Sequence, residues 1–200
     1  GPYILHYGSE AQKQRWLPRM ATGELVGAIA MTEPGTGSDL QAVRTVARRE
    51  GDHYLLSGQK VFITNGQNAN LVVVVCKTAV DAQGHLEPAA GARGISLLVV
   101  EVENEDGTLV PGYRRGRKLD KIGMKAQDTS ELFFDQVRVP VGNRLGDEGQ
   151  GFSMLMTNLA RERLVQAVRG TVLTGEVIRW TVEHTRERKA FGHTIADFQN

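Results

Sequence analysis

The chain is organised around one stretch, which reads Ala28-Ile29-Ala30-Met31-Thr32-Glu33-Pro34-Gly35-Thr36-Gly37-Ser38-Asp39. It leaves an apolar segment and enters a turn in which a proline fixes one backbone angle and two glycines allow tight or positive-φ geometry. The hydroxyl groups and main-chain N–H groups of this turn can bind an anion or the edge of a heteroaromatic ring. The stretch therefore predicts either a plain turn or a loop that holds a flat, phosphorylated ligand.

The glycine spacing of this loop does not fit a dinucleotide-binding fingerprint. That fingerprint requires a strand, the pattern Gly-x-Gly-x-x-Gly and then a helix. Here Leu40 occupies the position of the third glycine, and the residues that follow have the pattern of a strand. A Rossmann fold is therefore disfavoured.

Composition excludes several classes of function. The 24 Lys and Arg residues against 23 Asp and Glu residues give a formal net charge of +1, which argues against a nucleic-acid-binding protein. The single cysteine, Cys76, excludes an internal disulfide, and the 5 histidines lack metal-ligand partners at a useful spacing. No apolar run reaches the length of a membrane span. The sequence therefore predicts no metal site, no nucleic-acid partner and no membrane span.

Residues 1–24 are predicted to be helical. Ser9 and Gln12 have the spacing of a capping box, in which each side chain accepts a hydrogen bond from the main chain of the other residue. A helix is expected to follow, and Gly23 to close the segment. This part of the chain is interpreted as the tail of a helical domain.

From Leu25 to Leu145 the pattern changes to short strands separated by turn signals. Residues 53–64 are predicted to form two short strands around Ser57-Gly58, and Asn65-Gly66 is a strong turn dipeptide. Further strands are predicted at 43–48, 71–76 and 95–100, and a late strand pair at 132–139. Many short strands with turns between them favour a small β-barrel or sandwich over a parallel sheet.

Beyond Gly146 apolar residues recur at helical intervals, which predicts one long helix that continues towards Gly192. The predicted fold is therefore α+β, with three parts. Residues 1–24 form the tail of an N-terminal helical domain, residues 25–145 a central β-barrel or sandwich domain, and residues 146–200 the start of a C-terminal helical bundle.

Four segments of the chain resemble, in the right order, the acyl-CoA dehydrogenase family. The first is the stretch at 28–39, which is similar to the flavin-binding signature of that family. The others are Gly58–Gly66, Leu119–Ser130 and Arg188–Gly192, the last with Phe198-Gln199 behind it. The resemblance points to the long-chain and isovaleryl-type branch, in a chain that lacks most of the N-terminal helical domain and the end of the C-terminal one.

This resemblance implies FAD as the cofactor, with an apolar wall for the isoalloxazine ring and donors for its edge heteroatoms. The implied FAD-binding residues are Ile29, Met31, Thr32, Gly37, Ser38, Phe62, Ile63, Thr64, Arg188, Phe191 and Gln199. In this family the segment around Arg188 reaches the flavin pyrophosphate across a subunit interface. Judged on the residues alone, a core aromatic is the favoured interpretation of Phe62, and a solvated charge at a helix end is the favoured interpretation of Arg188.

The resemblance also implies a catalytic base. Removal of the α-proton of an acyl thioester requires a positioned carboxylate. In the long-chain and isovaleryl-type branch this glutamate lies on the long helix directly before an arginine, which matches Glu162 and Arg163. Arg163 and Ser38 are then expected near the acyl-CoA. Without the family, a glutamate between two arginines is an ordinary solvated helix charge.

The implied reaction is FAD-dependent dehydrogenation of an acyl-CoA, with electron-transfer flavoprotein as acceptor and a homo-oligomer, dimer or tetramer, as the working form. The implied compartment is a bacterial cytoplasm or the mitochondrial matrix. Two alternatives stay open. One is a flavin oxidase or monooxygenase on the same scaffold, and the other is an inactive β-domain that acts as a binding module.

Overall fold

A computed structural model of the chain describes residues 1–79 and 88–198. The chain forms two compact units, Gly1–Leu155 and Met156–Asn200. The first unit holds the helices α1 (Pro2–Tyr7) and α2 (Glu10–Ala21) and a β-sheet. The second unit is built on the greater part of a long helix.

The predicted capping box at the start of α2 is confirmed. The Gln12 N–H donates to Ser9 Oγ at 3.2 Å, and the Ser9 N–H donates to Gln12 Oε1 at 2.9 Å. The amide group of Gln12 also donates to the main-chain oxygens of Gly142 and Arg144, at 2.7 and 2.8 Å. Because Trp16 on the same helix is fully buried, α2 is fixed to the sheet by both polar and apolar contacts.

Eight strands form one sheet. They are β1 (Gly27–Ala30), β2 (Val46–Glu50), β3 (His53–Thr64), β4 (Leu71–Lys77), β5 (Ile95–Glu101), β6 (Tyr113–Lys118), β7 (Thr129–Pro140) and β8 (Arg144–Leu145). Neighbouring strands follow the order β6-β7-β3-β2-β4-β5-β8, and β1 pairs in parallel with β4. Within the described residues the two ends of this path do not pair, so the sheet is open and the expected barrel is not closed.

Two segments differ from their predictions, and the strand pair predicted at 132–139 is the single strand β7. The segment predicted as two strands around Ser57-Gly58 is a single strand, β3, which pairs with β7 along most of its length. A Cβ added to Gly58 would lie 2.4 Å from Thr45 Oγ1 and 2.8 Å from Thr45 Cα. This glycine therefore permits the close approach of β3 to the chain at Thr45, and it does not break the strand.

The core of the first unit is formed by apolar side chains at the inward-facing positions of the strands. β4 is buried along its whole length, as its continuous apolar sequence predicts. Cys76 lies at this buried strand, and burial raises the pKa of its thiol to about 12. The thiol therefore stays protonated at neutral pH and acts as a small apolar core residue.

The predicted long helix is confirmed as α3 (Gly151–Glu187). Its first turn belongs to the first unit, where Gly151 approaches the main chain of Ser96 so closely that a Cβ would lie 2.8 Å from Ser96 Cα. In the second unit α3 is followed by the short antiparallel pair β9 (Lys189–Ala190) and β10 (His193–Thr194). Among the described helices, none combines the length and hydropathy needed to cross a membrane.

The predicted class is confirmed as α+β, with a central sheet that follows short helices and precedes a long one.

Candidate functional site

The loop that follows β1 is closed by its own main chain. The Glu33 N–H donates to the Thr36 carbonyl at 2.9 Å, and the Thr36 N–H donates back to the Glu33 carbonyl at 3.1 Å. The Thr36 hydroxyl donates to the Ala42 carbonyl at 3.1 Å. These bonds fix the base of the loop while the residues at its tip, Gly37 and Ser38 among them, stay exposed. A short 3-10 turn follows at Leu40–Ala42 in place of the helix that a Rossmann site requires.

This loop is joined directly to β3. The Val61 N–H donates to the Thr32 carbonyl at 2.9 Å. The bond brings the glycine-rich loop beside the second segment of the predicted site, which continues from Val61 into Phe62. The N–H and hydroxyl of Thr32 make no hydrogen bond to any described residue. Thr32 therefore offers two unused polar groups next to the exposed face of β3.

A bulge in β3 turns Phe62 outward. The pairing of β3 with β7 shifts register between Lys60 and Ile63, and Phe62 has a left-handed backbone with a φ of 60°. As a result its ring is 65% exposed. A left-handed conformation at a bulky residue costs about 1–2 kcal/mol, and such strain clusters at functional sites. Phe62 is therefore placed to present an aromatic face to a ligand, and the alternative of a core aromatic is not what the structure shows.

The two residues after Phe62 point in opposite directions. Ile63 is 2% exposed and belongs to the hydrophobic core, so its side chain faces away from Phe62. Thr64 is exposed, and Asn65 has a φ of 63° in the predicted Asn65-Gly66 turn. Of the predicted residues in this segment, the structure brings Phe62 and Thr64 to the surface and places Ile63 in support behind them. Ile29 and Met31 are both half-buried, at the end of β1 and just beyond it.

A buried ion pair lies beneath the loop. The Lys60 Nζ atom is 2.8 Å from Glu33 Oε1, and the side chains of Lys60 and Glu33 are 0% and 6% exposed. The same ammonium donates to the Met31 carbonyl at 3.0 Å. The Glu33 carboxylate also accepts the N–H groups of Arg44, at 2.6 Å, and of Thr45, at 2.9 Å. The pair therefore ties the loop both to β3 and to the chain that enters β2.

Each charge of this pair offsets part of the cost of burying the other. Burial lowers the pKa of Lys60 below its ordinary value, and the charge and hydrogen bond of Glu33 oppose that shift. Burial alone would raise the pKa of Glu33, but the charge and hydrogen bond of Lys60, together with the N–H of Arg44, hold that pKa below its ordinary value. A carboxylate that accepts this many donors stays ionised at neutral pH.

Sequence reasoning missed this pair, although one signal for Lys60 was present. Along β3 the inward positions are Tyr54 and Leu56, and the alternation continues through Gly58 to Lys60. A lysine on the inward side of a strand requires a buried partner. The partner, Glu33, is 27 residues away in the sequence and could not be read from the pattern.

Four of the predicted site residues that the structure describes lie in the second unit. Glu162 and Arg163 are exposed positions on α3. The Arg188 N–H donates to the His184 carbonyl at 2.8 Å, which continues the last turn of the helix. Phe191 is 93% exposed with a φ of 54°, and its ring packs edge to face on Phe198 at a centroid distance of 6.3 Å. Gln199, the remaining predicted ligand, lies outside the described residues.

The arrangement in the first unit suits a flat heteroaromatic ligand. It combines an exposed aromatic ring, unused main-chain and hydroxyl groups, and a glycine-rich tip where a Cβ added to Gly35 or Gly37 would meet no heavy atom within 4 Å. Within residues 1–79 and 88–198, no cluster of three or more His, Cys, Asp or Glu side chains could hold a metal ion.

Comparison with known families matches the chain along its length. The acyl-CoA dehydrogenase middle domain matches residues 28–137, the C-terminal domain of the same family matches residues 149–200, and its N-terminal domain matches residues 1–24. The match to the middle domain contains the glycine-rich loop, the buried ion pair and the bulge of β3.

Individual members of this family are similar to the chain in sequence and in structure. The long-chain specific acyl-CoA dehydrogenase of Sus scrofa is 47% identical over 99% of this chain and 43% of its own length. The isovaleryl-CoA dehydrogenase of Pongo abelii is 39% identical over 98% of this chain and 44% of its own. A crystal structure of an acyl-CoA dehydrogenase from Geobacillus kaustophilus superimposes with a TM-score of 0.87 at 51% identity, covering 98% of this chain and 49% of that one. The chain thus spans less than half the length of these relatives.

Proposed function

Because the chain belongs to the acyl-CoA dehydrogenase family, we propose that it is part of an enzyme that converts an acyl-CoA thioester to the trans-2-enoyl-CoA with FAD as cofactor. The observation that carries this proposal is the exposed, left-handed Phe62 beside the unused polar groups of Thr32. Backbone strain at an exposed aromatic ring is hard to account for by packing, whereas a ring that stacks on a cofactor requires exposure in the apo chain.

The residues present fit FAD. Phe62 supplies an aromatic wall, and Thr32 and Thr64 supply donors to the edge of the ring system. Ile29 and Met31 flank this wall, while Ile63 supports it from the core. The open glycine-rich tip, with Gly37 and Ser38, leaves room for the phosphorylated part of the ligand. We assign Arg188, Phe191 and Gln199 to the pyrophosphate end by their match to the family pattern, since a guanidinium offers bidentate donors to phosphate.

In the proposed reaction Glu162 takes the α-proton of the thioester onto its carboxylate. Bound FAD supplies the acceptor for the hydride that leaves the β-carbon. A positioned general base contributes about 10²–10⁴-fold to the rate. Arg163, the next residue on α3, and Ser38 are assigned to the acyl-CoA. The support for these assignments is the family match of α3 and of the loop.

Further parts of the proposal rest on the family alone. We propose a division of the chain into the tail of an N-terminal helical domain at 1–24, a middle domain at 25–145 and the start of a C-terminal helical domain at 146–200. We also propose a homo-oligomer, dimer or tetramer, with electron-transfer flavoprotein as the electron acceptor. The mammalian relatives are named mitochondrial, so the mitochondrial matrix is one proposed compartment and a bacterial cytoplasm is the other.

The proposal is tested by flavin spectroscopy. The purified protein is incubated with FAD, freed of excess ligand, and titrated anaerobically with an acyl-CoA. We expect a bound-flavin spectrum that bleaches in the wild type, and bleaching slowed by at least about 10²-fold in Glu162→Gln. Glu183→Gln, which changes another exposed glutamate on the same helix, is the matched control and is expected to bleach normally.

The other possible results of this experiment would lead to different conclusions. Bleaching that is equally fast in Glu162→Gln would remove Glu162 from its role and leave the cofactor assignment in place. Rapid reoxidation of the reduced protein by oxygen would favour the oxidase or monooxygenase alternative over transfer to electron-transfer flavoprotein. Failure to bind FAD, both in this chain and in a form extended to the length of the relatives, would overturn the enzyme assignment and favour a binding module.

A further inference from the structure

The Met31–Thr32 peptide group is held from its inner side. Its carbonyl accepts a hydrogen bond from the Lys60 ammonium at 3.0 Å, and Lys60 is completely buried. In a trans peptide the carbonyl and the N–H point in opposite directions. Since the Met31 carbonyl points towards the interior, the Thr32 N–H points away from it, and that N–H has no partner among the described residues.

The Lys60 ammonium is itself fixed in place. It donates to Glu33 Oε1 at 2.8 Å, and the Glu33 carboxylate is fixed in turn by the main-chain N–H groups of Arg44 and Thr45. A cation held this firmly polarises the carbonyl it contacts, and hydrogen-bonded chains strengthen one another in a buried setting. The N–H at the opposite end of the same peptide becomes a stronger donor.

We propose that Lys60 is a positioning residue for the cofactor: its buried ammonium fixes the Met31 carbonyl inward and so orients and polarises the Thr32 N–H towards the edge of the flavin. This inference rests on the proposed function, because it assumes that FAD is the ligand of the loop. Glu33 serves the same role one step further back, since it holds Lys60.

A purely structural role is the competing explanation, and a double substitution separates the two. Removal of one partner of a buried ion pair leaves an uncompensated charge and is strongly destabilising, whereas removal of both charges is often close to neutral. Lys60→Met and Glu33→Gln are therefore each expected to lower stability, and the double variant Glu33→Gln/Lys60→Met to recover most of it. The double variant is expected to keep a folded sheet, and it has no cation behind the Met31 carbonyl.

The test compares the wild type and the double variant after thermal unfolding has shown that both are folded. FAD affinity is measured by fluorescence titration, and the Thr32 amide proton is followed by NMR in the apo protein and during the titration. We expect FAD to bind about tenfold more weakly to the double variant. We also expect the Thr32 amide resonance of the apo variant to move upfield and the reduction potential of its bound flavin to fall, because the donor to the electron-rich flavin is weaker.

Gln67→Met is the matched control. Gln67 donates to the Gly116 carbonyl at 2.9 Å, so its loss also removes a side-chain bond to a main-chain oxygen of the sheet, but far from Met31 in sequence. It is expected to leave the FAD affinity and the Thr32 resonance unchanged.

A folded double variant with wild-type FAD affinity, reduction potential and Thr32 resonance would overturn the role of Lys60 while the proposed function stands. A wild-type protein that binds no FAD would overturn both.

Discussion

At the scale of single residues, Phe62 contributes little to the stability of the fold. Its ring is 65% exposed, so it buries little apolar area, and its φ of 60° places a bulky residue in the left-handed region. The strand alternation through Lys60 would have directed Phe62 inward, and only the bulge between Lys60 and Ile63 reverses this. The residue type could be predicted as a flavin contact from the family pattern, but its exposure could not, because a bulge has no clear signature in the sequence.

Phe62→Gly tests whether this residue serves binding rather than folding. Relief of the left-handed strain offsets the larger unfolded-state entropy of glycine, so we expect the free energy of unfolding to change by less than about 1 kcal/mol. FAD affinity is expected to fall about tenfold or more, because the aromatic contact is lost. Urea denaturation and FAD titration measure the two effects.

Met124→Gly is the control for Phe62→Gly. Met124 is 55% exposed and has a φ of 52°, so the substitution makes the same backbone change at another exposed apolar residue. We expect its FAD affinity to equal that of the wild type. A loss of stability of several kcal/mol in Phe62→Gly, with FAD affinity intact, would show that the ring is a packing residue.

Glu33 gives the stability of the fold a dependence on pH. Burial raises the pKa of Glu33, but the charge and hydrogen bond of Lys60, together with the hydrogen bonds of Thr45 and Arg44, hold that pKa below its ordinary value of 4.5. A carboxyl group with a lower pKa in the folded state binds fewer protons there than in the unfolded state. The stability it contributes is therefore complete above about pH 4.5, and it is lost as the pH falls through the folded-state pKa.

The effect of Glu33 is expected to appear as a difference in the pH dependence of stability between the wild type and a variant without the ion pair. We expect the unfolding free energy of the wild type to fall more steeply between about pH 5 and pH 3 than that of Glu33→Gln/Lys60→Met. The comparison removes the contributions of Asp52 and Asp106, whose pKa values are also lowered, by hydrogen bonds with His53 and Thr108 respectively. Parallel pH profiles from urea denaturation would show that the Glu33 carboxyl does not carry this linkage.

At the scale of secondary-structure elements, the features that depend only on residues close together in the sequence could be predicted. The capping box at Ser9 and Gln12, the Asn65-Gly66 turn and the long helix α3 all follow from short-range signals, and the structure contains them. The break predicted in β3 was wrong because glycine was interpreted as a turn residue. The actual requirement, close approach to Thr45, comes from a neighbouring part of the chain and leaves no trace in the β3 sequence itself.

Gly58→Ala tests that interpretation. The added methyl group would lie within 2.8 Å of the Thr45 main chain, so β3 or the chain at Thr45 must shift. Overpacking of this kind costs about 1–3 kcal/mol, and the φ of 153° at this position, which side chains rarely adopt, adds to the cost. Gly142→Ala, where no heavy atom lies within 4 Å of the new Cβ, is expected to leave the urea midpoint unchanged. Equal midpoints for the two variants would mean that the approach of Thr45 places no steric demand on this position.

At the scale of the whole molecule, the two compact units differ in how they bury their residues. The first unit contains the buried core of the sheet together with Trp16 on α2, whose indole N–H donates to Glu101 Oε1 at 3.2 Å. In the second unit, the described residues from 159 onward include none that is fully buried. The order of helix, sheet and long helix could be predicted from the sequence, but this contrast could not, because an apolar helix pattern does not say which partner covers it.

This contrast predicts two unfolding transitions, and the 2 tryptophans report on one unit each. Trp16 is 0% exposed in the first unit, and Trp180 is 55% exposed in the second. Helices derive most of their stability from tertiary packing, so we expect the second unit to unfold at a lower urea concentration than the sheet. In Trp16→Phe the remaining fluorescence, from Trp180, should change early and together with much of the helical circular dichroism. In Trp180→Phe the signal of Trp16 should change later, with the sheet. A single urea midpoint shared by both variants and by circular dichroism would instead show that the chain unfolds as one cooperative unit, and that the helix shares the stability of the sheet.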